Sequence, residues 1–335
     1  MKKVLHVLSS NKYSGAENVA CTIIENFKDE YEMAYCSPIG QIQDKLKEKN
    51  IKYFGIKKLS IKEIKRIIKE YKPDIIHAHD YTASVICAIS GFNGVIISHL
   101  HNNCPFAQKW NIKSLIYYFT IKKYHKIIGV SKKVYDEAVF KTKMKNKYQT
   151  VYNFVDKEKI IKKSHEYEYK KKYDIFFFGR LTEQKDPIRF IEIVNQIKQK
   201  NRKIKAVMIG DGELKTECAK IIKNNALDEN IDLIGFVTNP FPIIKQCKIG
   251  IMPSKWEGFG LTAIESIVLN KPILNSGVGG MQEIFKENKE LICGKDSEYI
   301  EKLVKNKKYD FTNIINRFCN KKEWKEIIKK CYEDI

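Results

Sequence analysis

The sequence predicts two α/β domains, each a parallel sheet wound on both faces by helices, and three observations lead there. The chain has 335 residues, and at about 150 residues per domain that length suits two. Short β-branched or aromatic runs alternate with segments of helical period along the whole chain, the pattern of parallel strands joined by crossover helices. With 43% hydrophobic and 30% charged residues, each half can bury its own core, and disorder is excluded.

In the first half, strands are expected at 3–8, 32–36, 75–78, 95–99, 126–130 and 148–152, with helices between them. The densely charged stretch KEKIIKKSHEYEYKKKY, 157–173, loses its apolar period and reads as a linker. A second series of strands follows at 174–178, 205–209, 231–235, 249–252, 272–275 and 291–293. The expected domains are therefore 1–160 and 173–318. Trp324, Ile327, Ile328 and Cys331 recur at helical spacing, so 319–335 is expected to form a helix that packs back on the first domain. Doubly wound sheets bind ligands beyond the carboxyl ends of their strands. Two such domains are expected to face a shared crevice, with the chemistry at strand ends.

The formal net charge is +21, and the excess sits in the first half of the chain. Such a field suits nucleic acid, phospholipid headgroups or a polyphosphate-bearing acceptor, although any single Lys reads as part of a solvated face. Nine cysteines are scattered without a C-x-x-C pair, which argues against a disulfide framework or a zinc site and for a reducing cytoplasm. The start MKKVLHVLSS reads as a strand and not as a signal peptide. No charge falls between Asp80 and Lys109, but Ser90, Gly91, Asn93 and Gly94 break that window, so no membrane span is expected.

The strongest motif is PSKWEGFGLTAIESI, 253–267. Gly258 and Gly260 let backbone approach a ligand, and the unpaired amides of a helix opening at Leu261 face it with the positive end of the dipole. Glu257, Phe259 and Leu261 line that turn, while Glu265 in the second helical turn leans back toward it. Two carboxylates there suit the hydroxyls of a sugar; either alone would read as a solvated surface residue. The second motif is DIFFFGRLTEQKDP, 174–187, where Arg180 and Lys185 follow a strand and can neutralise a departing diphosphate. Singly, each is an ordinary surface cation.

The GRL-x3-K run, the GDGEL turn at 210–214, EGFGLTAIE with its two Glu, and GVGGMQE at 277–283 lie in one order through the second half. In these elements the chain resembles the group 1 glycosyltransferases, also called glycosyltransferase family 4. The resemblance implies a GT-B fold of two Rossmann-like domains and retention of anomeric configuration. It also implies a nucleotide-diphosphate sugar held mainly by the second domain; a UDP-sugar is expected, with guanine or adenine as the other bases open. By that likeness Arg180 and Lys185 contact the diphosphate, Glu265 the ribose and Glu257 the transferred sugar. Gly212 lies in the donor turn and Val237 near the base. In the first half, SSNKYSGAEN places Gly15 where the family carries two adjacent glycines, the first being Ser14 here. ISHLHNN resembles the segment whose histidine lies beside the reacting sugar; His101 is the candidate and His99 the alternate. His77 and His79 read as acceptor-side or structural, and the four are not expected to form a metal site.

No D-x-D pair occurs in the sequence, so with Arg180, Lys185 and helix dipoles available, chemistry without a metal or other cofactor is expected. The stretch 109–126, KWNIKSLIYYFTIKKYHK, interleaves aromatics and aliphatics with Lys. It can rest on an anionic bilayer and reach a lipid-linked acceptor, or serve as a buried helix. The expected function is extension of a surface polysaccharide, such as a capsule or a lipid-linked oligosaccharide, on the cytoplasmic face of the membrane. A nucleotide-sugar epimerase on the same scaffold is the alternative. A nucleic-acid-binding protein would explain the charge, but no recognised RNA or DNA motif is present.

Overall fold

The computed structural model describes residues 1–304 and 307–333. The chain forms two compact units, one of residues 1–153 with 321–335 and one of residues 154–320. In the first, seven strands make a wholly parallel sheet: β1 (Lys3–Val7), β2 (Glu32–Pro38), β3 (Lys52–Ile56), β4 (Ile75–His79), β5 (Val95–Leu100), β6 (Lys126–Gly129) and β7 (Tyr148–Thr150). Their spatial order is β3-β2-β1-β4-β5-β6-β7. The chain winds outward from β1 to β3, then returns to the other side of β1 with β4, so the order reverses between β1 and β4.

The second unit repeats the scheme with β8 (Tyr173–Phe178), β9 (Ala206–Ile209), β10 (Ile231–Gly235), β11 (Cys247–Met252) and β12 (Ile273–Asn275), in the order β10-β9-β8-β11-β12. Its reversal falls between β8 and β11. At such a point the two flanking crossovers lie on opposite faces and leave a crevice at the carboxyl ends of the strands. The loops of the two strongest motifs follow the carboxyl ends of β8 and β11.

Central strands buried on both faces read as unbroken apolar runs; Val4, Leu5, Val7, Ile175 and Phe176 are buried accordingly. Three expectations fail for local reasons. β3 was not expected: KYFGI is an edge strand with one fully buried residue, Ile56, and so lacks that signature. The strand expected at 291–293 is a single bridge between Asn275 and Ile292 after a short 3-10 turn. The stretch 157–173 opens with a helix, Lys157–Lys163, because Asp156 accepts from the amide of Lys159 and caps it.

The helix Lys321–Glu333 belongs to the first unit. Trp324, Ile328, Cys331 and Tyr332 are buried along one stripe, with Trp324 6.1 Å from Phe27 and Tyr332 5.2 Å from Tyr31 between ring centroids. Lys325 and Lys329 add exposed pairs to Glu30, which contribute little in water. Aromatic burial therefore holds this helix in place. Trp324→Ala is expected to destabilise the protein by about 3–5 kcal/mol in denaturant titration, whereas Lys325→Ala changes it by less than about 1 kcal/mol.

Candidate functional site

In the second unit, the turns after β8, β9 and β11 meet at one sheet edge, and glycine makes the meeting possible. The Gly179 amide donates to Ile209 O and the Leu181 amide to Asp211 O, which ties the first turn to the second. Gly210 has φ +148°, and a Cβ there would lie 1.8 Å from Gly179 O. At Gly212 the Cβ would lie 2.3 Å from Leu181 O. The GDGEL glycines are thus demanded by backbone packed against backbone. After β11, Gly260 adopts φ +113° and starts the helix Leu261–Val268. Gly280 of the GVGG turn presses on this loop, its amide donating to Glu257 O and its absent Cβ leaving room for Gly258 O 2.5 Å away.

The charged groups converge on the same edge. The Lys185 ammonium is ion-paired with the Glu257 carboxylate, which is only 4% exposed. Gln184, which sequence reading missed, links the two loops: its side-chain amide donates to Trp256 O at 3.1 Å, and its Oε1 accepts from Arg180 Nη2 at 3.1 Å. Its backbone carbonyl also accepts from the Lys255 amide. Arg180 is otherwise exposed. Glu265, on the helix that Gly260 starts, is part-buried. Burial pushes its carboxyl up to about 7, against the opposing pull of the Lys185 and Lys163 charges. Thr182 Oγ1 and Ser254 Oγ, in the same two loops, are buried without a hydrogen-bond partner. Nothing in the sequence distinguishes either from an ordinary turn hydroxyl. Val237 lies part-buried in the loop after β10, beside the exposed ring of Phe236; no hydrogen bond or ion pair joins it to the other candidates.

At the β1/β4 reversal of the first unit, Gly15 is the first residue of the helix Gly15–Phe27 and is exposed. Ser14 closes this helix start, its amide and hydroxyl both donating to Glu17 Oε2. His77, His79 and His99 are buried, and His101, just beyond β5, is part-exposed. Burial holds all four imidazoles neutral, with His101 lowered to about 3. His101 Nε2 lies 2.8 Å from His79 Nδ1, so its Nδ1 edge is the one left for a ligand. Of the pair in ISHLHNN, His101 is the accessible one.

The stretch 109–126 contains the helix Ile112–Thr120, whose face is the reverse of an ordinary surface helix. Ser114, Tyr117 and Thr120 point inward, and Tyr117 is hydrogen-bonded to Ser98 at 2.8 Å. Trp110, Ile112, Leu115, Ile116 and Phe119 face solvent, Ile112 being 76% and Phe119 67% exposed. Among the described residues no helix is long and apolar enough to cross a membrane.

Comparison with known proteins gives concordant matches. The family described as Glycosyltransferase Family 4 matches residues 14–159, and that described as Glycosyl transferases group 1 matches residues 156–310. The chain is 25% identical over 348 residues to the capsular polysaccharide biosynthesis glycosyltransferase CapH of Staphylococcus aureus, covering 95% of each. It is 27% identical over 299 residues to the O-antigen biosynthesis glycosyltransferase WclY of Escherichia coli, covering 85% of this chain and 83% of that one. A glycosyltransferase of Methanocaldococcus jannaschii is 31% identical over 239 residues, and that match covers 64% of this chain and 58% of that protein's length. Among solved structures, Anabaena HepE in complex with UDP and glucose superposes with a TM-score of 0.84 over the whole of both chains at 16% identity. The motifs of the second half, the two parallel-sheet units and these matches agree: the chain belongs to the group 1 glycosyltransferases, glycosyltransferase family 4, retaining enzymes of the GT-B fold.

Proposed function

We propose that the enzyme transfers a sugar from a UDP-sugar onto a glycan or lipid-linked acceptor in surface polysaccharide biosynthesis. The observation that carries this reading is the convergence of Lys185, Glu257 and the helix opening at Leu261 on the edge where the sheet of the second unit reverses its order. Relatives named for capsule and O-antigen synthesis support the pathway, and HepE, solved with UDP-glucose, supports the donor.

In this reading Arg180, Lys185 and the helix amides receive the diphosphate and stabilise the charge that grows on it as the bond to the sugar breaks. That much fixed positive charge leaves no requirement for a metal at the diphosphate. Glu257 accepts hydrogen bonds from the transferred sugar and Glu265 from the ribose. The orphaned Thr182 and Ser254 hydroxyls supply further partners. Gly212 and Val237 keep their assignments to the donor turn and the base, and Gly15 to the first unit's glycine turn. His101 takes the reaction-side role that the resemblance implies, donating from Nδ1. The nine free thiols fit a cytoplasmic enzyme. The outward apolar face of Ile112–Thr120, with Lys109, Lys113, Lys122 and Lys123 around it, suits the surface of an anionic bilayer carrying the acceptor.

Calorimetry with UDP tests the donor site. Arg180→Ala is expected to weaken UDP binding about tenfold or more while leaving the unfolding midpoint unchanged; equal affinities in the two proteins would refute the assignment. Incubation of the enzyme with donor alone is expected to yield no epimer.

Ribose hydroxyls donate to the ionised form of Glu265, whose carboxyl sits at about 7 in the free protein. Affinity for a UDP-sugar, which itself has no titration near neutrality, should therefore rise about tenfold from pH 6 to pH 8 as the carboxyl ionises. Glu265→Gln should bind more weakly and lose that dependence. A wild-type affinity that falls with pH over this range would contradict the role given to Glu265.

Co-sedimentation with phosphatidylglycerol vesicles addresses the membrane. The double variant Ile112→Glu, Phe119→Glu should partition at least about tenfold less than wild type, since burying two such side chains is worth about 1.5–3 kcal/mol each. Equal partitioning would leave the helix without a membrane role.

A further inference from the structure

Five of the seven histidines lie together on one face of three adjacent strands, for a reason of register. Residues two apart on a strand share a face, which pairs His77 with His79 and His99 with His101. Across strands, His6 is in register with His77, and His79 with His99. The cluster therefore sits beside the β1/β4 reversal of the first unit, at the carboxyl ends of β4 and β5.

His79, His99 and His101 each offer one ring nitrogen within 4.8 Å of the others. The hydrogen bonds of the cluster assign which nitrogens are committed. His79 Nε2 lies 2.9 Å from His6 Nδ1, and His99 Nδ1 lies 3.1 Å from His77 Nε2. His77 Nδ1 in turn lies 2.7 Å from the Tyr332 hydroxyl. That leaves His79 Nδ1 and His101 Nε2, 2.8 Å apart, and His99 Nε2, which is buried and has no partner. His79 and His99 thus rest their second nitrogen on a fixed neighbour, His6 and His77, which sets tautomer and ring orientation as an outer shell does for a metal-bound imidazole, while the Nδ1 of His101 stays open.

Contrary to the expectation from sequence that these histidines form no metal site, we propose that His79 Nδ1, His99 Nε2 and His101 Nε2 bind a divalent transition-metal ion of the zinc class, with His6, His77 and Tyr332 as the outer shell. Metal–nitrogen bonds of about 2.0–2.1 Å place tetrahedral ligand nitrogens about 3.3 Å apart, so His79 and His101 need to separate by about half an ångström. The ion takes the place of the proton shared by that pair and gives His99 Nε2 its missing partner. The protons of the outer shell follow: His99 donates from Nδ1 to His77 Nε2, His77 from Nδ1 to the Tyr332 oxygen, and His79 from Nε2 to His6 Nδ1, which leaves the His6 Nε2–H buried without a partner. His101 is part-exposed and is the ligand nearest solvent, His79 and His99 being buried. Imidazole ligands select zinc, cobalt or nickel over magnesium or calcium. The site is made wholly of the first unit's residues and does not depend on the donor reading given to the second.

The test uses the full, untagged chain, freed of metal by chelator and titrated with cobalt(II), then zinc(II). One cobalt per chain with visible ligand-field absorption, displaced by zinc and unaffected by excess magnesium, is expected. His99→Gln and His101→Gln should each weaken cobalt binding at least tenfold. His165→Gln, outside the cluster, should not. Zinc should raise the unfolding midpoint of wild type and of His165→Gln but not of the two cluster variants, and circular dichroism without metal checks that those variants fold. Absence of stoichiometric binding, or binding that survives both cluster substitutions in folded protein, overturns the proposal.

Discussion

The second unit depends on backbone packed directly against backbone. Gly210 and Gly212 let the β9 turn lie on the carbonyls of Gly179 and Leu181, and Gly280 lets the GVGG turn lie on Gly258. Side chains at those positions would drive the turns apart, and Arg180, Lys185 and Glu257 would lose their common edge. The site is therefore held by the packing of these turns against one another. The glycines that mark the family are conformational necessities before they are binding residues.

Charge is handled differently in the two units. In the second, the buried Glu257 carboxylate is ion-paired with the part-buried Lys185 ammonium, an arrangement in which removing one partner strands the other at a cost of about 3–5 kcal/mol. Glu265 lacks so close a partner, and burial moves its carboxyl to where it titrates near neutrality. In the first unit, five imidazoles share a buried face with no carboxylate among their hydrogen-bond partners. Burial lowers all five and favours their neutral form, and neutral imidazole is a ligand as well as a hydrogen-bonding group.

The helix Ile112–Thr120 places hydroxyls inside and hydrocarbon outside. Ser114, Tyr117 and Thr120 find partners in Asn111, Ser98 and Tyr124, so inward burial leaves these hydroxyls satisfied. The apolar side chains it turns outward have no comparable compensation in water. Its composition is that of a core helix and its orientation that of a surface one, which is why the sequence left both readings open.

Sequence alone determined the class of fold, most of the strands and the four motifs of the second half, because parallel strands buried on both faces and glycine-punctuated turns leave strong local patterns. It named Arg180, Lys185, Glu257 and Glu265 because each follows a strand end or a helix start. The tertiary structure decided which of these groups touch. The partnership of Lys185 with Glu257, the bridging role of Gln184 and the orphaned hydroxyls of Thr182 and Ser254 arise where loops distant in the chain meet. The five histidines show the limit most plainly: i, i+2 spacing gives two pairs on two strands, and strand order and register alone join them to each other and to His6. Local periodicity is written in the order of residues; coincidence across strands is fixed only when the sheet forms.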